Sequence, residues 1–257
     1  MRSLLFVPAV ERMLYKIPQL SADAFIVDLE DSIPDDKKVE ALELVKTFLT
    51  KNTKKVYIRL DEKHFDSELQ TLESLAIEGY MIPKFENPDN YSIFEHYFYN
   101  RFVIALVETP SGIANLEKIA SCKWVNAIAF GAEDYTSSVG MLNRFELLVG
   151  IRNMLVMYAK AFHKPVYDSP SLIIDNTEEL KREIQLAKDM GFDGKMAINP
   201  IQISLIDSVY KSCDIEHIKS IIDRYKSSGK AVVKIDGKVY EKMHINKLEE
   251  KLKENNC

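Results

Sequence analysis

FVIALVET, at residues 102–109, is a continuous apolar run that carries Glu108 near its end, and AIAFGAED (127–134) has the same form and ends in Asp134. Runs of this kind, rather than strict alternation of apolar and polar residues, are typical of strands that are covered on both faces, as in a parallel sheet. Six further runs are likewise apolar and lead into a polar or charged group: SLLFVP (3–8), AFIVDLED (24–31), KVYIRLD (55–61), GYMIPK (79–84), KPVYDSP (164–170) and GKMAINP (194–200).

The stretches between these runs show helical spacing, with apolar residues at three- and four-residue steps, as in 63–78 and 142–163. Eight strands that alternate with helices predict an α/β fold, a (β/α)8 TIM barrel, whose active site lies at the carboxyl ends of the strands. The polar groups that follow the runs would lie there, which favours an enzyme over a binding module. We predict a barrel over residues 1–230 and a short C-terminal extension over 231–257, with a hairpin at Asp236-Gly237 and a charged helical tail.

Composition narrows the class of protein. A chain of 257 residues with 46% hydrophobic content can form one barrel with a full core. The net charge of −5 and the scattered basic residues speak against a nucleic-acid partner, and no apolar stretch is long enough for a membrane-spanning helix. The N-terminus resembles a first strand rather than a signal peptide, and three distant cysteines form no disulfide framework or zinc motif. We therefore expect a cytoplasmic protein.

Two acids, Glu108 and Asp134, each end a predicted strand, and the two strands are consecutive. Neighbouring strands lie about 4.8 Å apart, so the two carboxylates can share one ligand. Two carboxylates without a nearby His or Cys favour a hard cation, most simply Mg²⁺ completed by water and substrate oxygens. The alternative is that each carboxylate caps a loop by hydrogen bonding.

Arg59 lies within the apolar run 55–61, where a guanidinium is costly to bury unless it is paired. It can hold a substrate carboxylate through two parallel hydrogen bonds. It can also form a structural pair with Glu30, Asp31 or Asp61, and both interpretations can hold together.

Lys84 ends the fourth run, and a Schiff-base lysine is possible there, as in some barrel aldolases. The paired acids offer a metal route instead. Lys84 is also, with Arg59 and metal-bound water, a candidate partner for the acid cluster of Asp28, Glu30 and Asp31, which will not all ionise freely without a nearby cation.

Seven motifs, in order over nearly the whole chain, resemble the citrate lyase beta-subunit family, which also includes malyl-CoA and citramalyl-CoA lyases. They are RSLLFVPA (2–9), DLEDS (28–32) with Lys38 following, IRLD (58–61), IPK (82–84), ETPSGIAN (108–115), FGAED (130–134) and GFDGKMAINPIQI (191–203). The resemblance implies a (β/α)8 barrel, assembled as a homotrimer or hexamer, that cleaves or forms a carbon–carbon bond beside a thioester. CoA or an acyl carrier protein would carry the thioester, and other subunits of a lyase complex are possible partners.

The resemblance also implies roles for individual residues. Mg²⁺ would be held by Glu108 and Asp134, and the substrate carboxylate by Arg59. Glu30 and Asp31 would organise the metal-bound waters. The substrate would be contacted at Gly131, Ala132 and Glu133, and phosphate would be contacted by Arg2 and Lys38.

The chain departs from the family pattern at four positions: Leu42 replaces an arginine, Asp61 an asparagine, Asn199 a histidine, and Glu241 an aspartate. In several members that aspartate is the general base, often across a subunit boundary, so Glu241 is the candidate base here. The lead hypothesis is a Mg²⁺-dependent retro-Claisen lyase that splits a citryl or malyl type of thioester into a 2-oxoacid (oxaloacetate, glyoxylate or pyruvate) and an acetyl thioester. Leu42 keeps open a metal-dependent aldolase of free hydroxy-oxoacids, and the altered C-terminal motif keeps open a non-catalytic subunit of a lyase complex.

Overall fold

The computed structural model describes residues 1–211 and 215–253. Eight parallel strands close into a barrel in chain order, and the last strand pairs with the first, which confirms the predicted (β/α)8 architecture. The barrel strands are β1 (Ser3–Pro8), β2 (Ala24–Asp28), β3 (Val56–Arg59), β4 (Gly79–Ile82), β5 (Phe102–Val107), β6 (Ala127–Phe130), β7 (Val166–Asp168) and β8 (Gly194–Ala197).

Helices lie between the barrel strands and also follow the last of them, as the three- and four-residue spacing predicts. They are α1 (Glu11–Leu14), α2 (Lys38–Leu49), α3 (Phe65–Leu72), α4 (Glu95–Phe98), α5 (Pro110–Ala114), α6 (Leu116–Ser121), α7 (Ala132–Val139), α8 (Val149–Ala161), α9 (Thr177–Met190), α10 (Pro200–Lys211), α11 (Ile215–Ser228) and α12 (Lys242–Lys253). Short 3-10 helices cover Ile17–Gln19, Asp35–Lys37, Pro88–Phe94 and Phe145–Leu148. Within the described ranges, no helix has both the length and the apolar character that crossing a membrane requires.

Side chains fill the interior of the barrel, so a site lies at the carboxyl ends of the strands rather than inside the barrel. Because neighbouring residues of a strand point to opposite faces, alternate residues of each strand point inward and pack together. The interior cluster consists of Leu4, Ala24, Ile26, Tyr57, Met81, Ile104, Leu106, Ala127, Ala129, Tyr167 and Met196. The barrel is therefore a packed core rather than a channel.

The chain divides into two compact units, Met1–Asp207 and Ser208–Cys257. The second unit has its own apolar cluster of Ile218, Ile221, Ile222, Ile235 and Ile245. It contains α11, α12 and the antiparallel pair β9 (Val232–Ile235) and β10 (Lys238–Glu241).

The hairpin is present where the sequence predicts it. Asp236 and Gly237 both have positive φ, 49° and 81°, which the tight turn of a two-residue hairpin requires. The domain boundary at residue 230 stays a prediction; the compact units divide after Asp207, and α11 packs with the hairpin in the second unit. Cys122 is a free thiol, and Cys213 and Cys257 lie outside the described residues.

Candidate active site

Glu108 directly follows β5 and is almost completely buried at the carboxyl end of the barrel. Its Oε1 accepts a hydrogen bond of 2.8 Å from the backbone amide of Lys84. Burial, together with the negative charges of Asp134 and Glu30, raises the pKa of Glu108 to about 8. A cation at this point would relieve the repulsion between these carboxylates, so the electrostatics of the site suit a metal ion.

Gly131 makes room for the Glu108 carboxylate. A Cβ atom at position 131 would lie 2.3 Å from Oε2 of Glu108 and 2.5 Å from its Cβ, far inside contact distance. Only glycine allows the backbone after β6 to approach Glu108 this closely.

The prediction that Asp134 ends a strand is wrong. β6 ends at Phe130, and Asp134 lies in the first turn of α7, where the helix dipole favours an acidic side chain. Glu108 and Asp134 nevertheless line one cavity, of about 260 Å³. The structure therefore brings together the two acids that the sequence singled out, but from a strand end and a helix start.

The wall of this cavity contains all the predicted substrate-binding residues. Arg59, Gly131, Ala132 and Glu133 line it, and Glu133 also accepts a hydrogen bond from Asn143. The amides of Glu133 and Asp134 belong to the first turn of α7, where no preceding carbonyl of the helix can accept them. The wall also includes residues outside the predicted set of site residues, among them Phe6, Ser32, Ser169 and Met196.

Arg59 is the centre of a dense group of charges. Its Nε and Nη2 donate to the two oxygens of Asp28 at 2.7 and 2.8 Å, and its Nη1 lies 3.2 Å from both Glu30 and Asp31. These bonds hold the pKa of Asp28 below its ordinary value even though burial opposes ionisation. The guanidinium also lies 5.2 Å from the centre of the Phe6 ring.

Two of the three structural partners considered for Arg59 are therefore present, and the third, Asp61, is not. The main partner, Asp28, is adjacent in the strand register, since Asp28 of β2 pairs with Arg59 of β3. Asp61 accepts instead from Lys38, at 2.5 Å.

Glu30 is buried between two cationic side chains. Its Oε1 accepts from the Lys84 ammonium at 2.8 Å, whereas its Oε2 has no hydrogen-bond partner among the described residues. Burial raises the pKa of Glu30, and Arg59 and Lys84 oppose that rise. Because the Lys84 ammonium is ion-paired, it fits a charged structural role better than the Schiff base considered from the sequence.

The structure does not bring the two predicted phosphate contacts to the cavity. Lys38 is buried, and its ammonium donates to the carbonyls of Leu29 and Glu30 and to Asp61, which uses all three of its hydrogens. Arg2 precedes β1 and therefore lies at the amino end of the barrel, opposite the cavity. Its amide donates to Asp23 at 2.6 Å.

Glu241 lies at the end of β10 in the second unit and is exposed. Its amide donates to Nδ1 of His244 at 3.2 Å. Its role as a base stays a prediction.

A buried ion network supports the cavity wall from behind. Asp168, which ends β7 and is fully buried, accepts from Arg152 at 2.8 Å and from Lys195 at 2.6 Å. The next residue, Ser169, accepts from the amide of Ala132 at the start of α7. Asp168 was one of the polar groups at the strand ends, and the structure gives it a structural role.

The donor set fits Mg²⁺. In the described part of the chain, no group of three or more His, Cys, Asp and Glu side chains is arranged to hold a metal. Two carboxylates leave most coordination positions to water and substrate, as Mg²⁺ commonly requires. The raised pKa of Glu108, to which the charge of Asp134 contributes, agrees with a cation between the acids.

Known proteins resemble this chain over most of its length. Residues 2–200 match the family model of the HpcH/HpaI aldolase/citrate lyase family. The (3S)-malyl-CoA thioesterase of Cereibacter sphaeroides is 27% identical, over 95% of this chain and 90% of its own. The human mitochondrial citramalyl-CoA lyase is 28% identical, over 81% of this chain and 70% of its own.

Among solved structures, the citrate lyase beta subunit from M. tuberculosis, complexed with oxaloacetate and magnesium, is similar with a TM-score of 0.72. It is 26% identical to this chain and covers 82% of it, and 96% of that subunit is covered in turn. The likeness therefore extends through the barrel that carries the candidate site.

Proposed function

The chain belongs to the HpcH/HpaI aldolase/citrate lyase family, and on that premise we propose that its cavity cleaves a hydroxyacyl CoA thioester with the help of Mg²⁺. The enzyme class, a carbon–carbon lyase, follows from the family and from relatives that are named lyases. The observation that carries the rest of the proposal is the convergence of Glu108, Asp134 and Arg59 on one cavity.

In this proposal Glu108 and Asp134 hold the metal ion. When bound, Mg²⁺ would supply a Lewis acid and a template for the oxygens of the substrate. By the family resemblance, Glu30 and Asp31, which lie beside Arg59, would organise the waters around the metal ion.

Arg59 holds the carboxylate of the hydroxyacid part. Asp28 accepts from Nε and Nη2 of the guanidinium, and Arg59 also lines the cavity that would hold the substrate. The amides at the start of α7 add neutral donors for a substrate oxygen.

Carbon–carbon cleavage begins when a base takes the proton of the substrate hydroxyl. The electrons of the O–H bond form the new carbonyl of the 2-oxoacid, and the C–C bond breaks to leave the enolate of the thioester. Protonation of that enolate gives the acetyl thioester. We assign the base to Glu241, on the resemblance alone.

Names of relatives support the substrate class. The similar solved structure contains oxaloacetate and magnesium, and two relatives are named for malyl-CoA and citramalyl-CoA. We therefore favour oxaloacetate, glyoxylate or pyruvate as the 2-oxoacid and CoA as the carrier. An acyl carrier protein, a trimeric or hexameric assembly and a cytoplasmic location stay predictions.

Hydrolysis of the thioester is a second candidate, because one relative is named a thioesterase. Incubation of the protein with malyl-CoA, citramalyl-CoA or citryl-CoA and Mg²⁺ separates the two reactions. A lyase releases 2-oxoacid and no free thiol, whereas a thioesterase releases free thiol and no 2-oxoacid.

The same assay tests the remaining alternatives. Turnover of free hydroxy-oxoacids without CoA indicates the aldolase, and Mg²⁺ binding without turnover of any thioester indicates the non-catalytic subunit. Glu108→Gln is the control, since it removes one proposed metal ligand and should abolish the lyase reaction.

A further inference from the structure

Lys84 contacts two carboxylates of the candidate site at once, one through its main chain and one through its side chain. Its amide donates to Oε1 of Glu108 at 2.8 Å, and its ammonium donates to Oε1 of Glu30 at 2.8 Å. Glu62 lies farther from the ammonium, at 3.9 Å, so Glu30 is the closer partner.

The backbone of Lys84 has a conformation that lysine disfavours. Its φ is +44°, and His163 and Asp236 are the only other non-glycine residues with positive φ in the described ranges. Glycine would adopt this conformation freely, whereas a side chain with a Cβ is strained there. Backbone strain of this kind clusters at functional sites, and here it lies beside a proposed metal ligand.

The amide and the side chain of Lys84 reach different carboxylates. Pro83 has no amide hydrogen, so the first main-chain donor after β4 and Pro83 is the amide of Lys84. That amide reaches Glu108 while the side chain reaches Glu30. With one oxygen of Glu30 held in this way, its second oxygen lies buried 3.2 Å from Arg59 and without a hydrogen bond.

We propose that Lys84 is a positioning residue that fixes Glu30 and Glu108 relative to each other, and thereby the geometry of the metal and substrate site. The inference rests on the proposed function, because it takes Glu108 as a ligand of the metal ion. Its two contributions can be separated by substitution, since a change of side chain leaves the amide donor in place.

Three variants test the proposal. Lys84→Gly removes the ammonium and the backbone strain, Lys84→Ala removes the ammonium but keeps the strain, and Lys84→Arg keeps a positive charge. His163→Gly is the matched control, because exposed His163 also has a positive φ, +56°, while its amide donates to the carbonyl of Lys160 rather than to a carboxylate of the site. The measurements are Mg²⁺ affinity by calorimetry, kcat and KM with the preferred thioester, and the thermal midpoint of the metal-free protein.

We expect Lys84→Gly and Lys84→Ala to lose about 10–100-fold in Mg²⁺ affinity or kcat/KM, to a similar extent, and Lys84→Arg to recover much of that loss. Stability should follow a different order, with Lys84→Gly melting above Lys84→Ala because glycine relieves the strain. His163→Gly should melt above the wild type with unchanged Mg²⁺ affinity and turnover. If Lys84 only stabilised the fold, the Mg²⁺ affinity and kcat/KM of the variants would instead follow the order of their thermal midpoints.

Wild-type values of Mg²⁺ affinity and kcat/KM in both Lys84→Gly and Lys84→Ala would overturn this inference alone. So would a Lys84→Arg variant as impaired as Lys84→Ala. A wild-type protein that neither binds Mg²⁺ nor turns over any thioester would overturn the proposed function and this inference with it.

Discussion

Arg59 has a structural and a proposed functional role, and substitution can separate them. Asp28 is buried and depends on the two hydrogen bonds from Arg59. Arg59→Met leaves the Asp28 charge without its partner, which should cost about 3–5 kcal/mol of unfolding free energy. The second substitution Asp28→Asn should restore most of that stability, because it removes the unpaired charge.

Activity should respond differently from stability. The double variant Arg59→Met/Asp28→Asn should fold well and still lack turnover, since no guanidinium remains to hold the substrate carboxylate. Denaturant unfolding and the thioester assay check the two halves. Full activity in the stable double variant would show that Arg59 does not bind substrate.

Glu108 gives Mg²⁺ binding a dependence on pH. Its pKa in the metal-free protein is raised to about 8, and it must lose its proton before it can bind a cation. Mg²⁺ affinity should therefore rise about tenfold per pH unit from pH 6 and level off above pH 8. The sign is opposite for the stability of the metal-free protein, to which Glu108 contributes less as pH rises from about 4.5 to about 8.

Glu68 supplies the control for this pH dependence. Burial also raises its pKa to about 8, and it accepts from the amide of Asp61 rather than lining the cavity. Calorimetric titrations of Glu68→Gln should show the wild-type rise of Mg²⁺ affinity with pH. An affinity that stays flat between pH 6 and pH 8 in the wild type would argue against Glu108 as a ligand.

At the scale of elements, the turn between β6 and α7 controls the shape of the site. The added methyl group of Gly131→Ala would overlap Oε2 of Glu108, so this carboxylate or the turn must move. We expect a loss of Mg²⁺ affinity of about 10-fold or more, because small displacements of metal ligands are costly. Gly150→Ala is the control, since a Cβ there meets nothing within 4 Å and α8 should gain about 0.5–1 kcal/mol.

Both glycine variants can be compared by Mg²⁺ calorimetry and thermal unfolding. Wild-type Mg²⁺ affinity in Gly131→Ala would mean that the position of Glu108 is not critical for the cation.

The apolar runs predict the eight strands because a strand covered on both faces needs such a run wherever the fold places it. Asp134 was misplaced because its run continues without a clear break, although two acids shortly after Gly131 are a usable sign of a helix start. Arg59 was a predicted partner for the acid cluster of Asp28, Glu30 and Asp31, but the choice of Asp28 as its main partner depends on the register between β2 and β3, which the packing of the whole barrel decides. The strained turn at Lys84 has no sequence signal at all, because lysine is not a residue that suggests positive φ.

At the scale of the whole molecule, the proposed metal ligands and the proposed base belong to different compact units of the chain. Glu108 and Asp134, the proposed ligands, belong to Met1–Asp207, and Glu241 belongs to Ser208–Cys257. Each unit has its own apolar cluster, so a substitution in one site need not disturb the other core. Glu241→Gln should therefore keep Mg²⁺ affinity while kcat falls about 10²–10⁴-fold, as expected for loss of a general base.

Mixing of two inactive variants can show whether Glu241 serves its own chain or a neighbouring one. Glu108→Gln lacks a proposed metal ligand and Glu241→Gln lacks the proposed base. If the base is supplied by a neighbour in a cyclic oligomer, unfolding and refolding an equal mixture should restore about a quarter of wild-type turnover, since that share of sites combines both intact residues. If both residues come from one chain, the mixture stays inactive. Wild-type turnover in Glu241→Gln alone would remove Glu241 from the mechanism, whatever the assembly.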